Sequence, residues 1–169
     1  ASAWDMIFSP QISSDSKYIV FLSNWKSPSF SLRVFSVPLT GGEPKLLDAA
    51  LEGGGGVLPG LITPDGKSVI YLYSRYVGTE EPPVTEVRMT PIDQVNVKHI
   101  NIPLQSDEYI EGLLAAPDGS GVLATVWKHE PNLMNRQVAV YLVAFMDGSA
   151  RRVGGAANLD DEYSSSDAY

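Results

Sequence analysis

The chain contains no cysteine, which excludes disulfides and thiolate metal sites without fixing a compartment. Histidine is nearly absent too. His99 and His129 stand alone, and His129-Glu130 runs into Pro131, which would break the helix an H-E-x-x-H zinc motif needs. No G-x-S-x-G elbow occurs, so a serine-hydrolase site is not expected. No D-x-D-x-D-G loop is present for calcium, and no N-x-S/T sequon for a glycan. No apolar run approaches the ~18 residues of a membrane-spanning helix. Positive charge is scarce: 12 Lys and Arg face 20 Asp and Glu, a net charge of -8. That balance argues against nucleic acid and against anionic membrane surfaces, both of which demand a basic patch. The chain opens ASAWDM, without an initiator methionine, a basic segment or an apolar signal core. It reads as a mature or excised portion of something longer.

What the sequence does have is turns and apolar runs. With 169 residues, 44% hydrophobic and 19% charged, it can bury a core and form one domain. Its 15 glycines and 12 prolines suit many turns, and no capped run carries a helical period. The phrase ITPDGKSVIYLY at 62–73 occurs in near copies as QISSDSKYIVFL before it and LAAPDGSGVLAT after it. Asp15, Asp65 and Asp118 align the three copies. Around each, the same order returns. A lead-in stretch comes first (Ile7–Ile12, Val57–Ile62, Gly112–Ala115), then the turn (13–17, 63–67, 116–120). A strongly apolar second stretch follows (Tyr18–Ser23, Ser68–Tyr73, Gly121–Val126). A longer polar loop leads to a third (Leu32–Leu39, Val84–Ile92, Gln137–Phe145) and a short fourth (Lys45–Asp48, Val97–Asn101, Arg151–Val153).

These stretches predict β-strands, being rich in β-branched and aromatic residues. The second stretches are apolar on both faces, which predicts cover on both sides. Pro64, Asp65 and Gly66, with Asp15 in the first copy and Pro117, Asp118 and Gly119 in the third, are expected to be structural turn residues. Thr40-Gly41-Gly42 and Asp147-Gly148 serve the later turn, whereas Asp93-Gln94 lacks a glycine there. Four antiparallel strands per ~50-residue unit predict an all-β fold of three propeller blades, a partial or oligomer-completed β-propeller. The units run 1–56 with an N-terminal lead-in, 57–110 and 111–155. Residues 156–169 form an acidic tail or the start of a further blade.

The phrases SSDSKYIVFLS, TPDGKSVIYLY and APDGSGVLAT, with FSVPLTGGEPKLL after the first, resemble the repeats of TolB-like (WD40-like, PD40) propellers. They are also similar to tandem repeats of large secreted bacterial proteins. The resemblance covers roughly 7–153. It implies a non-catalytic module for protein–protein interaction or structural assembly, with no cofactor, in an extracytoplasmic setting (periplasmic, secreted or cell-surface). Expected partners are other protein chains or further blades, including copies of itself, since closed propellers use about 4–8 blades. Two copies would make six, the count that the resemblance implies. Two other readings stand beside it. One is an accessory propeller of a prolyl-oligopeptidase-like hydrolase, the other a carbohydrate- or ion-binding module.

Strand alternation puts the longer connections on one rim, where recognition is most often found. Its candidate binding residues are Trp25, Arg75, Tyr76, Glu80, Glu81, Lys128, His129 and Asn132. The links 49–56 and 102–111 share that rim. Glu52 and the four glycines after it read as a flexible link, because no Lys-Ser/Thr follows at phosphate-loop spacing. Trp4, Trp25 and Trp127 read as packing residues, with sugar stacking as the rival role. Asp160, Asp161, Glu162 and Asp167 read as a solvated acidic tail, with calcium binding as the rival.

Overall fold

Each of the three repeated phrases closes a hairpin by hydrogen bonds to its aspartate. In a computed structural model describing residues 6–25, 27, 31–48, 55–76, 81–130 and 136–155, the Thr63 hydroxyl donates to Asp65 Oδ1 at 2.7 Å, and the Lys67 amide donates to the same oxygen at 3.0 Å. Ser13 and Lys17 repeat this around Asp15 at 2.7 and 3.1 Å. The third copy has Ala116 where the others have a hydroxyl, and Ser120 donates both its amide and its hydroxyl to Asp118 instead. The residue after each aspartate has positive φ: Gly66 and Gly119 at 70°, and Ser16 at 56°. Glycine adopts this region without penalty, whereas serine does so at a cost.

The hairpins belong to three four-stranded antiparallel sheets. Sheet 1 contains β1 (Ile7–Ile12), β2 (Tyr18–Ser23), β3 (Arg33–Pro38) and β4 (Lys45–Leu46). Sheet 2 contains β5 (Gly56–Ile62), β6 (Ser68–Arg75), β7 (Val84–Pro91) and β8 (Lys98–Ile100). Sheet 3 contains β9 (Glu108–Ala115), β10 (Gly121–Lys128), β11 (Arg136–Ala144) and β12 (Ala150–Gly154). Each sheet pairs its strands in sequence order, with β1 beside β5 and β5 beside β9. The fold is all-β, and the three sheets are propeller blades stacked face on face.

Two apolar layers hold the stack. Between sheets 1 and 2 lie Val20, Leu22, Val34 and Leu47 from one side and Val57, Val69, Tyr71 and Ile92 from the other. Between sheets 2 and 3 lie Ile70, Leu72, Val87 and Ile100, facing Ile110, Val122, Ala124, Val126 and Val143. Strand β6 supplies both layers, and Val69 through Leu72 are at most 3% exposed. This is why its sequence shows no alternation. Each such side chain contributes on the order of 1.5–3 kcal/mol by leaving water. Strand β10, in the last sheet, alternates instead: Val122, Ala124 and Val126 are buried while Leu123, Thr125 and Trp127 are half-buried.

One expectation about a loop is corrected. Glu108–Glu111 reads from sequence as the end of a link, but it is the first half of β9 and pairs with the end of β10, Tyr109 opposite Trp127. Two glutamates flanking Tyr109-Ile110 conceal a strand whose apolar pair alone is buried. The β7–β8 turn, which lacks a glycine, still forms: the Thr90 hydroxyl lies 3.4 Å from both Gln94 O and the Asn96 amide.

First strands carry a bulge. The β5–β6 register shifts between Leu58 and Leu61, and β1 shifts between Phe8 and Gln11. Gly60 sits in the β5 bulge, where a Cβ would fall 1.9 Å from the Ile70 carbonyl oxygen. Its own carbonyl accepts from Gln11 Nε2 at 2.6 Å, tying sheet 1 to sheet 2.

Candidate functional site

Chain direction puts the short turns at one rim and the longer connections at the other. On the long-loop rim, Arg75 ends β6 and Tyr76 follows it, 78% exposed. Glu81 is exposed before β7. Lys128 ends β10 and pairs with Asp107 at 3.2 Å, while the His129 amide donates to the Asp107 carbonyl at 2.7 Å. Arg136 Nε donates to Glu130 Oε1 at 2.8 Å. A shallow depression of about 380 Å³ lies between 81–85 and 104–108, lined by Pro82, Pro83, Leu104 and the carboxylate-bearing Glu81 and Glu108. Glu80, Asn132, Trp4, 51–54 and the tail 156–169 lie outside the described residues, as do Asp160, Asp161, Glu162 and Asp167. Trp25 lies on Phe35, with ring centroids 5.6 Å apart, and Phe35 stacks on Phe21 at 5.7 Å. Trp127 is half-buried on the outward face of sheet 3, opposite Gln137.

A charged cluster that the sequence reading missed lies between sheets 1 and 2. Asp48, fully buried just after β4, accepts from Arg88 Nη1 at 3.0 Å and from the Tyr71 hydroxyl at 2.9 Å. Arg88 also pairs with Glu86 at 2.9 Å and lies 3.9 Å from the centre of the Tyr73 ring. Glu86 in turn contacts His99 Nδ1 at 3.0 Å. Burial, reinforced by the Asp48 carboxylate, pushes the Tyr71 hydroxyl far above its ordinary range. Burial opposes the charge on Glu86, but hydrogen bonds from Arg88 and His99 hold its carboxyl below the usual value. Burial likewise opposes the charge on Arg88, yet Glu86 and Asp48 keep it more firmly protonated than an isolated arginine. The signal available in the sequence was an arginine inside an otherwise strand-like run, Val84–Pro91. Such a residue needs a buried partner, but which carboxylate provides it depends on how the sheets stack.

Asp48 reaches Arg88 and Tyr71 across the junction, whereas Glu86 and His99 extend the cluster along sheet 2 to the solvent-exposed side. The cluster's chemistry is that of a packed joint between blades. Among the described residues no group of three His, Asp or Glu side chains is placed to hold a metal ion. Among them, too, no helix is long and apolar enough to cross a membrane.

The outermost sheet faces are different. On sheet 1, Ile7 is 65% and Ile12 61% exposed, with Ile19 and Val37 half-buried beside the buried Phe21 and Phe35. On sheet 3, Leu114 is 62% exposed opposite Leu123, with Val140 and Leu142 half-buried on the same face.

No family model matches the sequence, and no curated protein sequence matches it. Among solved structures, the chain is similar to one from Agrobacterium tumefaciens identified provisionally as TolB. The TM-score is 0.50 at 19% identity, over 86% of this chain and 45% of that one. The chain thus spans less than half the length of that structure. With its three four-stranded antiparallel blades, the protein has a TolB-like propeller fold.

Proposed function

We propose that the chain is a non-catalytic propeller segment that works by associating with other protein surfaces through the outward faces of its terminal sheets. One observation carries this reading: exposed branched aliphatic side chains, Leu114 at one end and Ile7 and Ile12 at the other, stand on sheet faces of the kind buried at both internal junctions. Contiguous apolar surface of this type marks an interaction site. An extracytoplasmic setting accords with the sequence resemblance and forms part of the proposal.

The test is sedimentation velocity over a dilution series. The wild-type chain is expected to sediment above its 18.3 kDa mass and to shift toward it on dilution. Leu114→Asp puts a charge at an exposed position, so it should keep the wild-type circular dichroism spectrum and a cooperative melt while abolishing the heavier species. A wild-type chain that stays monomeric at every concentration would sink the reading.

A further inference from the structure

The two internal junctions follow one residue code, and the terminal sheets carry its two unmatched halves. Strand pairing makes the correspondences explicit. Val20, Ile70 and Leu123 occupy one position in the three second strands, opposite Ser36, Met89 and Leu142. Those three in turn stand opposite Lys45, Lys98 and Arg151. At the first junction, Lys45 Nζ donates to the Asp93 carbonyl in the β7–β8 turn of the next sheet, at 2.6 Å. At the second, Lys98 Nζ donates to the Asp147 carbonyl in the β11–β12 turn. The third member, Arg151, is exposed on sheet 3, with no following sheet among the described residues.

The receiving side repeats as well. Ile92 and Phe145 enter those two turns, their amides donating to Lys67 O and Ser120 O; Leu39 does the same on sheet 1, donating to Lys17 O. Ile92 is 1% exposed, whereas Leu39 is 46% exposed. Val57 and Ile110 sit opposite Tyr73 and Val126 and are 1% and 2% exposed; Ile7, opposite Ser23, is 65% exposed. Sheet 1 therefore offers what sheets 2 and 3 offer to their predecessors. It has an apolar face and a turn, Thr40-Gly41, whose carbonyls stand where the lysine acceptors do elsewhere.

We infer that the partner is a second copy of this chain, joined head to tail. Sheet 3 of each copy docks on sheet 1 of the other, and Arg151 donates to the Thr40-Gly41 turn across each junction. This rests on the association reading above and gives it a partner and a polarity. Each copy supplies what its partner lacks at both ends. Two such junctions close a ring of six sheets, within the ~4–8 that propellers use, and the dyad leaves no free end. Basic Arg151 also brings charge complementarity to a chain of net charge -8, because its acceptor turn presents backbone dipoles and is followed by Glu43.

The test uses two variants at positions more than 60% exposed: Leu114→Asp, which blocks the sheet 3 face, and Ile12→Asp, which blocks the sheet 1 face. Masses are read by sedimentation equilibrium. The wild type is expected at twice the chain mass with no larger species. Each variant alone should be monomeric, and an equimolar mixture should recover a two-chain species through its one intact junction. Arg151→Glu alters both junctions at once and should weaken the wild-type dimer roughly a hundredfold, about tenfold for each charged hydrogen bond lost, and Arg151→Lys should restore it. If Ile12→Asp alone still dimerises, sheet 3 pairs with itself, and the head-to-tail inference falls while association through end faces stands. Masses that climb beyond two copies mean an open array and overturn the closed ring in the same way. A wild-type monomer overturns the inference together with the association reading.

Discussion

Asp48 and Arg88 form an ion pair whose side chains are at most 5% exposed. Two charges removed from water cost several kcal/mol each, a cost offset only when geometry and further hydrogen bonds are good. Here Asp48 receives both Arg88 and the Tyr71 hydroxyl. Asp48→Ala would leave Arg88 buried with less compensation and should lower stability by about 3 kcal/mol, read as a drop in urea midpoint. Asp48→Asn keeps an acceptor for Tyr71 and should cost less. The turn aspartates act through acid titration. Ser-type hydroxyl and backbone amide donors lower the carboxyls of Asp15, Asp65 and Asp118 below their ordinary 3.8. A carboxyl depressed on folding stabilises the native state at pH above 3.8, and that contribution is lost as pH falls through the folded value. Asp65→Asn should therefore melt below the wild type at neutral pH, with the gap closing on acidification; a gap that is constant with pH would refute the assignment.

Among elements, β5 and β6 show what local sequence can and cannot reveal. The apolar run Ser68–Tyr73 disclosed a strand buried on both faces, because no polar position interrupts it. The bulge at Gly60 was not visible, since a glycine in a strand marks a bulge, a bend or a close contact alike. Only the pairing shows the Ile70 carbonyl within 1.9 Å of where a Cβ would stand. Because that neighbour is backbone, Gly60→Ala should part β5 from β6 and cost about 1–3 kcal/mol in denaturant unfolding. Gly112→Ala, where nothing lies within 4 Å, should come close to the wild type. The first half of β9 has too weak a pattern to show in the sequence, because Glu108 and Glu111 flank the only two residues of that strand that the sheet buries, Tyr109 and Ile110.

For the whole molecule, the decisive fact is that an open stack has two ends. Sheets 1 and 2 cover each other, as do sheets 2 and 3, so an internal face needs no outside partner. The face carrying Leu123, Val140 and Leu142 has no such neighbour among the described residues. Its expected response to Leu114→Asp is the mass-action signature of an interface. Association that depends on concentration should vanish while the strand signal remains, and the wild type's melting temperature, but not the variant's, should rise with concentration, since a partner that binds only the native chain stabilises it by mass action.

The sequence by itself determined the repeat, the strand order within each unit and the turn chemistry. Those depend on residues within a few positions of one another: an aspartate, its donors and a residue free to take positive φ. Tertiary structure alone decided which carboxylate meets Arg88, where the Gly60 bulge closes on its neighbour, and which apolar faces remain outermost. The bulge depends on the register of β5 against β6, and the other two on how one sheet is set against the next, where residues 40 positions apart in the chain, such as Asp48 and Arg88, meet.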